Sequence, residues 1–229
     1  MREINLDLGR AEGTRRSQPV IKFELNEILQ HFNENIEAIN AQFLVADELV
    51  LEGKLEDGKN IWRSQIVFLE SAFDFYMHEI TKYGLGKIFD GDWKATEKYK
   101  NIKVKMEIVE EALKDTKNTN WFSEFVNRFY ISVTMVSFDS VKQQMNLLGI
   151  KIQEVANGAF WEPDSTEKTR DKLKRRLKEL FERRNLIAHQ SDREHTNAKK
   201  KDISKEIVKE FIADVEKIVK AIYKEINNK

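Results

Sequence analysis

The sequence lacks cysteine altogether and has only two prolines and nine glycines among its 229 residues. Without cysteine the chain forms no disulfide or thiolate metal site and offers no thiol nucleophile. Because glycine and proline are the residues that most often interrupt helices, their scarcity favours long continuous helices. Hydrophobic residues make up 41% of the chain and charged residues 34%, a balance typical of a soluble protein with a packed interior.

Long hydrophobic runs are also missing. The longest stretch without a charged side chain, residues 129–138, has ten residues, whereas a membrane-spanning helix needs about 20. The first residues are polar and of mixed charge, without the apolar centre of a secretory signal. We therefore expect a cytoplasmic protein with no membrane span.

A net charge is absent as well, because 39 Lys and Arg residues balance 39 Asp and Glu residues. Zero net charge argues against a protein that coats nucleic acid through bulk electrostatics alone. The charges are unevenly placed, however: residues 165–201 contain 13 Lys and Arg but six Asp and Glu, a local excess of +7. This basic stretch is suited to contact with a phosphate backbone.

The apolar residues recur at helical spacing along most of the chain, and no segment shows the alternation that is typical of strands. This pattern predicts helices over residues 20–51, 60–83, 98–114, 120–129, 137–148, 165–189 and 203–226, with loops at 84–93 and 156–166. We expect an all-α helical bundle of about six to eight helices. Residues 1–19 are predicted to be a mobile arm, and residues 20–229 a single helical domain.

The first predicted helix has an unbroken seam of apolar residues at alternating spacings of four and three. Its members are Leu25, Leu29, Phe32, Ile36, Ile39, Phe43, Ala46 and Val50. Such a seam packs either inside a helical bundle or between two chains, because both use the same geometry. The pattern leaves both alternatives open.

The second predicted helix is apolar almost all round, which predicts a place in the middle of the bundle. A narrow polar line interrupts it, formed by Glu70, Asp74 and His78 at spacings of four. Because an unpaired buried charge is costly, these side chains must find partners in the fold.

The segment "FERRNLIAHQSDREH" contains an arginine where the helical pattern predicts a leucine. Leu173, Leu177 and Leu180 form a stripe whose next position is Arg184. Asn185 and His189 lie four residues apart, so they share one helix face and can form a hydrogen bond. A guanidinium holds its N–H donors in a rigid fork that binds phosphate through two hydrogen bonds, and an imidazole exchanges protons near neutral pH. The alternative is a solvated helix end whose arginine extends out of the core.

The run "RRNLIAH" resembles the signature of the HEPN superfamily. That signature is an arginine, a polar residue directly after it, and a histidine a few residues later. Here Arg184, Asn185 and His189 match, with four positions, 185–188, between the arginine and the histidine. The run is most similar to the RiboL-PSP branch of metal-independent ribonucleases. The helical pattern over residues 20–228, with the motif on the penultimate helix, agrees with that architecture.

The resemblance implies an endoribonuclease that needs no metal or cofactor and in which two copies of the motif meet across a homodimer. It also implies a prokaryotic defence or growth-arrest setting, RNA as substrate, and an antitoxin or regulatory protein as a further partner. In this interpretation the catalytic residues are His189, which transfers protons, Arg184, which supplies positive charge, and Asn185, which holds the imidazole or contacts the phosphate.

Four further residues have supporting roles in this interpretation. Glu70 or Asp74, from the polar line, pairs with Arg184 and fixes the orientation of its guanidinium. The alternative is that these acids form ordinary ion pairs on a solvated helix face. Arg183 and Arg193 are the nearest additional cations to the motif and are candidates for contacts to the RNA backbone.

Two other classes of function remain open from the sequence. One is a non-catalytic HEPN-like module that binds RNA or a protein, and the other is a structural or antitoxin-type helical partner. The intact combination of arginine, asparagine and histidine favours the nuclease, because a non-catalytic module has little reason to keep the three together.

Overall fold

The computed structural model describes residues 22–114, 120–130, 133–194 and 196–229. Within these ranges the chain forms nine α-helices and no strand: α1 Leu25–Leu51, α2 Leu55–Phe89, α3 Glu97–Lys100, α4 Met106–Lys114, α5 Trp121–Tyr130, α6 Phe138–Leu147, α7 Ile152–Phe160, α8 Thr169–Gln190 and α9 Lys205–Asn227. The predicted all-α bundle is confirmed. The count is one above the expected range because α3 is a separate single turn. The arm expected over residues 1–19 lies outside the described residues.

The first two helices form an antiparallel hairpin around Gly53, whose φ of +80° glycine adopts at low cost. The buried residues of α1 are Leu25, Ile28, Phe32, Ile36, Ile39, Phe43 and Ala46. Phe32 packs against Tyr76 with ring centroids 5.6 Å apart, and the Gln65 amide donates to the Ile39 carbonyl at 2.8 Å. The seam of α1 is therefore filled by α2 of the same chain.

α2 lies in the middle of the bundle, as its apolar circumference predicts. It packs against α1, α5, α8 and α9, and its fully buried residues include Ile66, Leu69, Phe73, Met77 and Ile80. Although α2 has 35 residues, no helix in the described part of the chain is both long and apolar enough to cross a membrane.

α2 is longer than the sequence pattern predicts. The prediction of a loop over residues 84–93 was wrong for its first half, which is helical. The helix continues to Phe89 because Leu85 is completely buried against the core. A Cβ on Gly84 would lie 2.6 Å from the Leu148 side chain. This glycine permits close packing and does not end the helix.

Two other predicted boundaries differ from the structure. The loop expected over residues 156–166 begins only after Phe160, because α7 occupies the first part and packs on α8 and α9. The helix expected over residues 98–114 is divided into α3 and α4. The Asn101 side chain donates to the Glu97 carbonyl at 2.6 Å, a local hydrogen bond that ends α3.

α8 carries the motif and is anchored along its length by three buried leucines: Leu173, Leu177 and Leu180. It packs against α2 on one side and α7 on another. Its last turn ends at Ser191, which has a left-handed φ of 52°. The amide of Asp192 then donates to the Leu186 carbonyl at 2.9 Å, closing the helix end with the bond pattern of a Schellman motif. This termination fixes the direction in which the chain leaves the motif.

Candidate functional site

Arg184 follows the buried leucine stripe of α8 and meets a carboxylate on α2. Its Nε forms an ion pair with Oε2 of Glu70, whose side chain is 3% exposed. The Arg184 side chain is 30% exposed, so the guanidinium lies at the boundary between the core and solvent. At this position of the leucine stripe, the neighbouring helix α2 therefore presents a buried carboxylate, Glu70, that pairs with the arginine.

The guanidinium of Arg184 is also held by its neighbour in sequence. Nη1 donates to Oδ1 of Asn185 at 3.0 Å. Nε lies within ion-pair distance of Glu70 but makes no hydrogen bond to a described residue, so the hydrogen bond that orients the guanidinium is the one from Nη1 to Asn185. Nη2 donates no hydrogen bond to any residue that the structure describes, so this end of the fork is open to an anionic ligand.

The Glu70 carboxyl titrates close to neutrality. Burial raises its pKa from the ordinary value of 4.5 to about 7; the Arg184 cation acts in the opposite direction, and the Asp74 carboxylate raises the pKa further. Its Oε1 is buried without a hydrogen-bond partner among the described residues. The charge that faces Arg184 therefore changes with protonation near pH 7.

His189 lies in the last turn of α8 and is exposed to solvent. In the described part of the structure its imidazole makes no hydrogen bond or ion pair. The hydrogen bond expected between Asn185 and His189 is absent from the described residues; the side-chain hydrogen bond of Asn185 is the one that its Oδ1 accepts from Arg184. The imidazole is accessible, and the single chain does not fix its orientation.

Asp74 and His78 point toward a different part of the bundle. Oδ1 of Asp74 accepts from the Met135 amide at 2.6 Å, and the His78 imidazole lies 2.7 Å from the Val133 carbonyl. Of the two acids considered as partners of Arg184, the one in contact with it is Glu70. Asp74 instead anchors the segment before α6, and it influences the site through the pKa of Glu70.

Arg183 contacts other residues of the chain. Its Nη2 lies 2.9 Å from Oδ2 of Asp192, an oxygen that the Nε of Arg63 also contacts at 2.6 Å. The Arg183 side chain is 12% exposed and Asp192 is completely buried. Both arginines also donate to the Lys201 carbonyl. The contacts of Arg183 use Nη2 alone among the described residues, and the RNA contact expected for Arg183 stays a prediction.

These groups, which we call the Asp192 cluster, comprise Arg63, Arg183 and Asp192. They secure a strained turn directly after the motif, in which Ser191 and Asp192 have φ values of 52° and 60°. Left-handed backbone costs a residue other than glycine about 1 kcal/mol, and removal of Asp192 would in addition leave two buried cations without their acid. Sequence reasoning missed this cluster, although Arg63 is a charged residue inside the apolar circumference of α2 and signals a buried partner.

Arg193 remains at the surface. Its Nη1 donates to the Ala198 carbonyl at 2.6 Å, which closes the short loop after the motif. The neighbouring Lys199, Lys200 and Lys201 are exposed as well. This loop presents a basic surface beside the end of α8. Among the described residues, no group of three or more His, Asp or Glu side chains is arranged to hold a metal ion.

The helical bundle and the arginine–asparagine–histidine motif on its penultimate helix together define a HEPN-type domain. The chain belongs to the RiboL-PSP-HEPN family, whose model matches residues 21–228. Comparison with curated proteins and with solved structures finds no match. Membership of the family points to a nuclease or RNA-binding module.

Proposed function

We propose that the protein is a metal-independent endoribonuclease whose catalytic residues are Arg184, Asn185 and His189. The observation that carries the proposal is the Arg184 fork, which Glu70 and Asn185 hold in place while Nη2 stays open. RNA cleavage needs positive charge and proton transfer, which the guanidinium of Arg184 and the accessible imidazole of His189 can supply.

The proposed reaction is a transesterification within the RNA strand. The 2′-oxygen forms a bond to phosphorus, and its proton passes to the imidazole of His189. The bond from phosphorus to the 5′-oxygen breaks, and that oxygen takes up a proton as it leaves. The products are a 2′,3′-cyclic phosphate and a 5′-hydroxyl. Arg184 stabilises the negative charge that develops on the phosphorane.

A homodimer supplies the second proton-transfer group in this proposal. One imidazole accepts the 2′-hydroxyl proton and a different, protonated imidazole donates to the leaving oxygen, so a single His189 does not suffice for one turnover. A second copy of the chain brings the missing histidine. Contact with the second copy also gives the imidazole an orienting environment, which it lacks among the described residues of the single chain.

The alternative is a non-catalytic module that binds RNA or a protein. The observation that favours it is the unsupported imidazole of His189, because catalytic histidines are usually oriented by a neighbour. The nuclease and an RNA-binding module both predict an RNA ligand at the basic loop around Arg193. A prokaryotic defence or growth-arrest role and restraint by an antitoxin or regulatory partner belong to the nuclease proposal.

Incubation of purified protein with RNA in excess EDTA separates the two functions. The nuclease predicts cleavage and fragments that end in 2′,3′-cyclic phosphate. His189→Ala is expected to lower the cleavage rate by about 10² or more, the usual contribution of a placed proton-transfer group. Gln190→Ala, the exposed next residue in the same helical turn, is the matched control and retains cleavage. RNA binding without cleavage by the wild-type protein selects the binding module.

A further inference from the structure

We propose that a pocket at the C-terminal end of α8 binds an unpaired base of the RNA strand. The pocket, which we call the Phe68 pocket, has a volume of about 350 Å³ and is lined by Asn60, Arg63, Ser64, Val67, Phe68, Ile187, Ser191 and Lys200. The inference rests on the proposed function because it takes RNA as the ligand. It adds that the base held in this pocket selects where along the strand the protein binds.

The Phe68 pocket lies on the opposite side of Arg184 from His189. At about 100° per residue, Ile187 projects about 60° to one side of Arg184 around the helix axis, whereas Asn185 and His189 project to the other side. The pocket includes Ile187 and Ser191 from the end of α8 and its other wall from α2. Around the helix axis, Arg184 therefore lies between the pocket wall at Ile187 and the face that carries Asn185 and His189.

The inner surface of the pocket suits a flat heteroaromatic ring. Phe68 is 50% exposed, although the aromatic residues around it in α2 are mostly buried. Val67 and the partly buried Ile187 extend this apolar wall. Aromatic side chains that are left accessible in this way are the usual stacking platforms for unpaired bases in RNA-binding proteins.

Polar groups at the edge of the pocket are positioned to recognise a base. The Oδ1 of Asn60 accepts from Arg63 at 3.2 Å and from Lys200 at 3.4 Å, which fixes the amide. The Nδ2 of Asn60 donates to no residue in the described ranges, so it remains available to an acceptor on the base edge. The hydroxyl of Ser191, an exposed residue, provides a second polar group.

The charge around the pocket favours a polyanion over a neutral protein segment. Lys200 lines the pocket, and Lys199, Lys201 and Arg193 lie exposed on the same loop. A single-stranded RNA has phosphates on both sides of each base, so this loop and Arg184 contact the backbone while the pocket takes the base. Duplex RNA keeps its bases stacked and does not fit this arrangement.

The test measures binding of a 2′-O-methyl RNA oligonucleotide, which is not cleaved because its 2′-oxygens are blocked, by fluorescence anisotropy. A second probe has the same backbone with abasic positions. Phe68→Ala is expected to weaken binding of the probe with bases by about 5-fold to 100-fold and to leave binding of the abasic probe unchanged. Phe68→Tyr keeps the stacking surface and should bind as the wild type does. Phe75→Ala, an exposed aromatic on the same helix that does not line this pocket, is the matched control.

Equal affinity of Phe68→Ala and wild-type protein for the probe with bases would overturn the proposal, as would absence of binding by the wild type. A change of oligomeric state in Phe68→Ala with unchanged RNA affinity would show that a second copy of the chain occupies the pocket, which also overturns it. The readout is independent of cleavage. If the wild type does not cleave RNA but Phe68→Ala weakens binding of the probe with bases, only the nuclease proposal fails. If the wild type cleaves RNA and Phe68→Ala binds this probe as the wild type does, only the pocket proposal fails.

Discussion

At the scale of single residues, the site depends on the ion pair between Arg184 and Glu70. Taking both charges out of water costs free energy that their attraction rarely returns in full, so a buried ion pair contributes little to stability. Glu70 is nevertheless 3% exposed and retains an unpaired Oε1 in the described structure. A costly buried carboxylate paired with the guanidinium that we propose binds phosphate is an arrangement we expect at a functional site.

Glu70→Gln tests the cost of burying the Glu70 carboxylate through the pH dependence of stability. The folded protein raises the pKa of Glu70 above its ordinary value of 4.5 to about 7, so the folded state binds the proton more tightly than the unfolded chain. The free energy of unfolding therefore falls as the pH rises from about 4.5 through 7. Between about pH 5 and about pH 8, we expect the free energy of unfolding of the wild type to fall by about 2 kcal/mol relative to that of Glu70→Gln.

The measurement is urea denaturation of both proteins at the two pH values. Glu182→Gln, at an exposed position of α8, controls for the loss of a carboxylate in water. A constant difference between wild type and Glu70→Gln across this range would show that the carboxyl is not held in the environment described here.

At the scale of elements, the turn after α8 is secured by long-range contacts and not by local sequence. Arg63 and Asp192 are 129 positions apart, and no periodicity links them. For this reason the motif and its place on α8 could be predicted from the sequence, whereas the Asp192 cluster and the internal role of Arg183 could not. The helical pattern likewise places α2 at the centre of the bundle but does not reveal that Gly84 lies inside it.

Asp192→Ala is expected to destabilise the protein by about 3 to 5 kcal/mol, because it leaves the Arg63 and Arg183 cations buried without their shared acid. Thermal or urea unfolding measures the loss. Asp202→Ala is the matched control: its side chain is 84% exposed and pairs with Lys59 at the surface, so we expect little change. Equal stabilities of the two variants would mean that the cluster does not secure the turn.

The two glycines within the last turns of α2 make opposite predictions. Gly84→Ala places a Cβ 2.6 Å from the Leu148 side chain and should destabilise the bundle by about 1 to 3 kcal/mol through overpacking. A Cβ on Gly86 meets nothing within 4 Å, so Gly86→Ala should stabilise the helix by about 0.5 to 1 kcal/mol. Unfolding midpoints that shift in the same direction for both would contradict the packing of α2 described here.

At the scale of the whole molecule, the bundle fixes one half of a proposed composite site. The sequence alone predicts the all-α class and the position of the motif on the penultimate helix, because periodicity and the short run "RRNLIAH" are local features. The identity of the buried acid that meets Arg184 needed the packing of α8 on α2, since both acids of the polar line satisfy the same spacing. The second histidine in the proposed reaction comes from another copy of the chain.

Mixed dimers give the most direct measurement of the composite site. Wild-type and His189→Ala chains with different affinity tags are co-expressed and purified in tandem, and RNA cleavage is measured in EDTA against a wild-type pair with the same two tags. The proposal predicts a cleavage rate about 10² or more below the wild-type pair, because each mixed dimer has one histidine. Half of the wild-type rate would show that each chain acts independently, and failure to recover any paired chains would show that no dimer forms; either result contradicts the composite site.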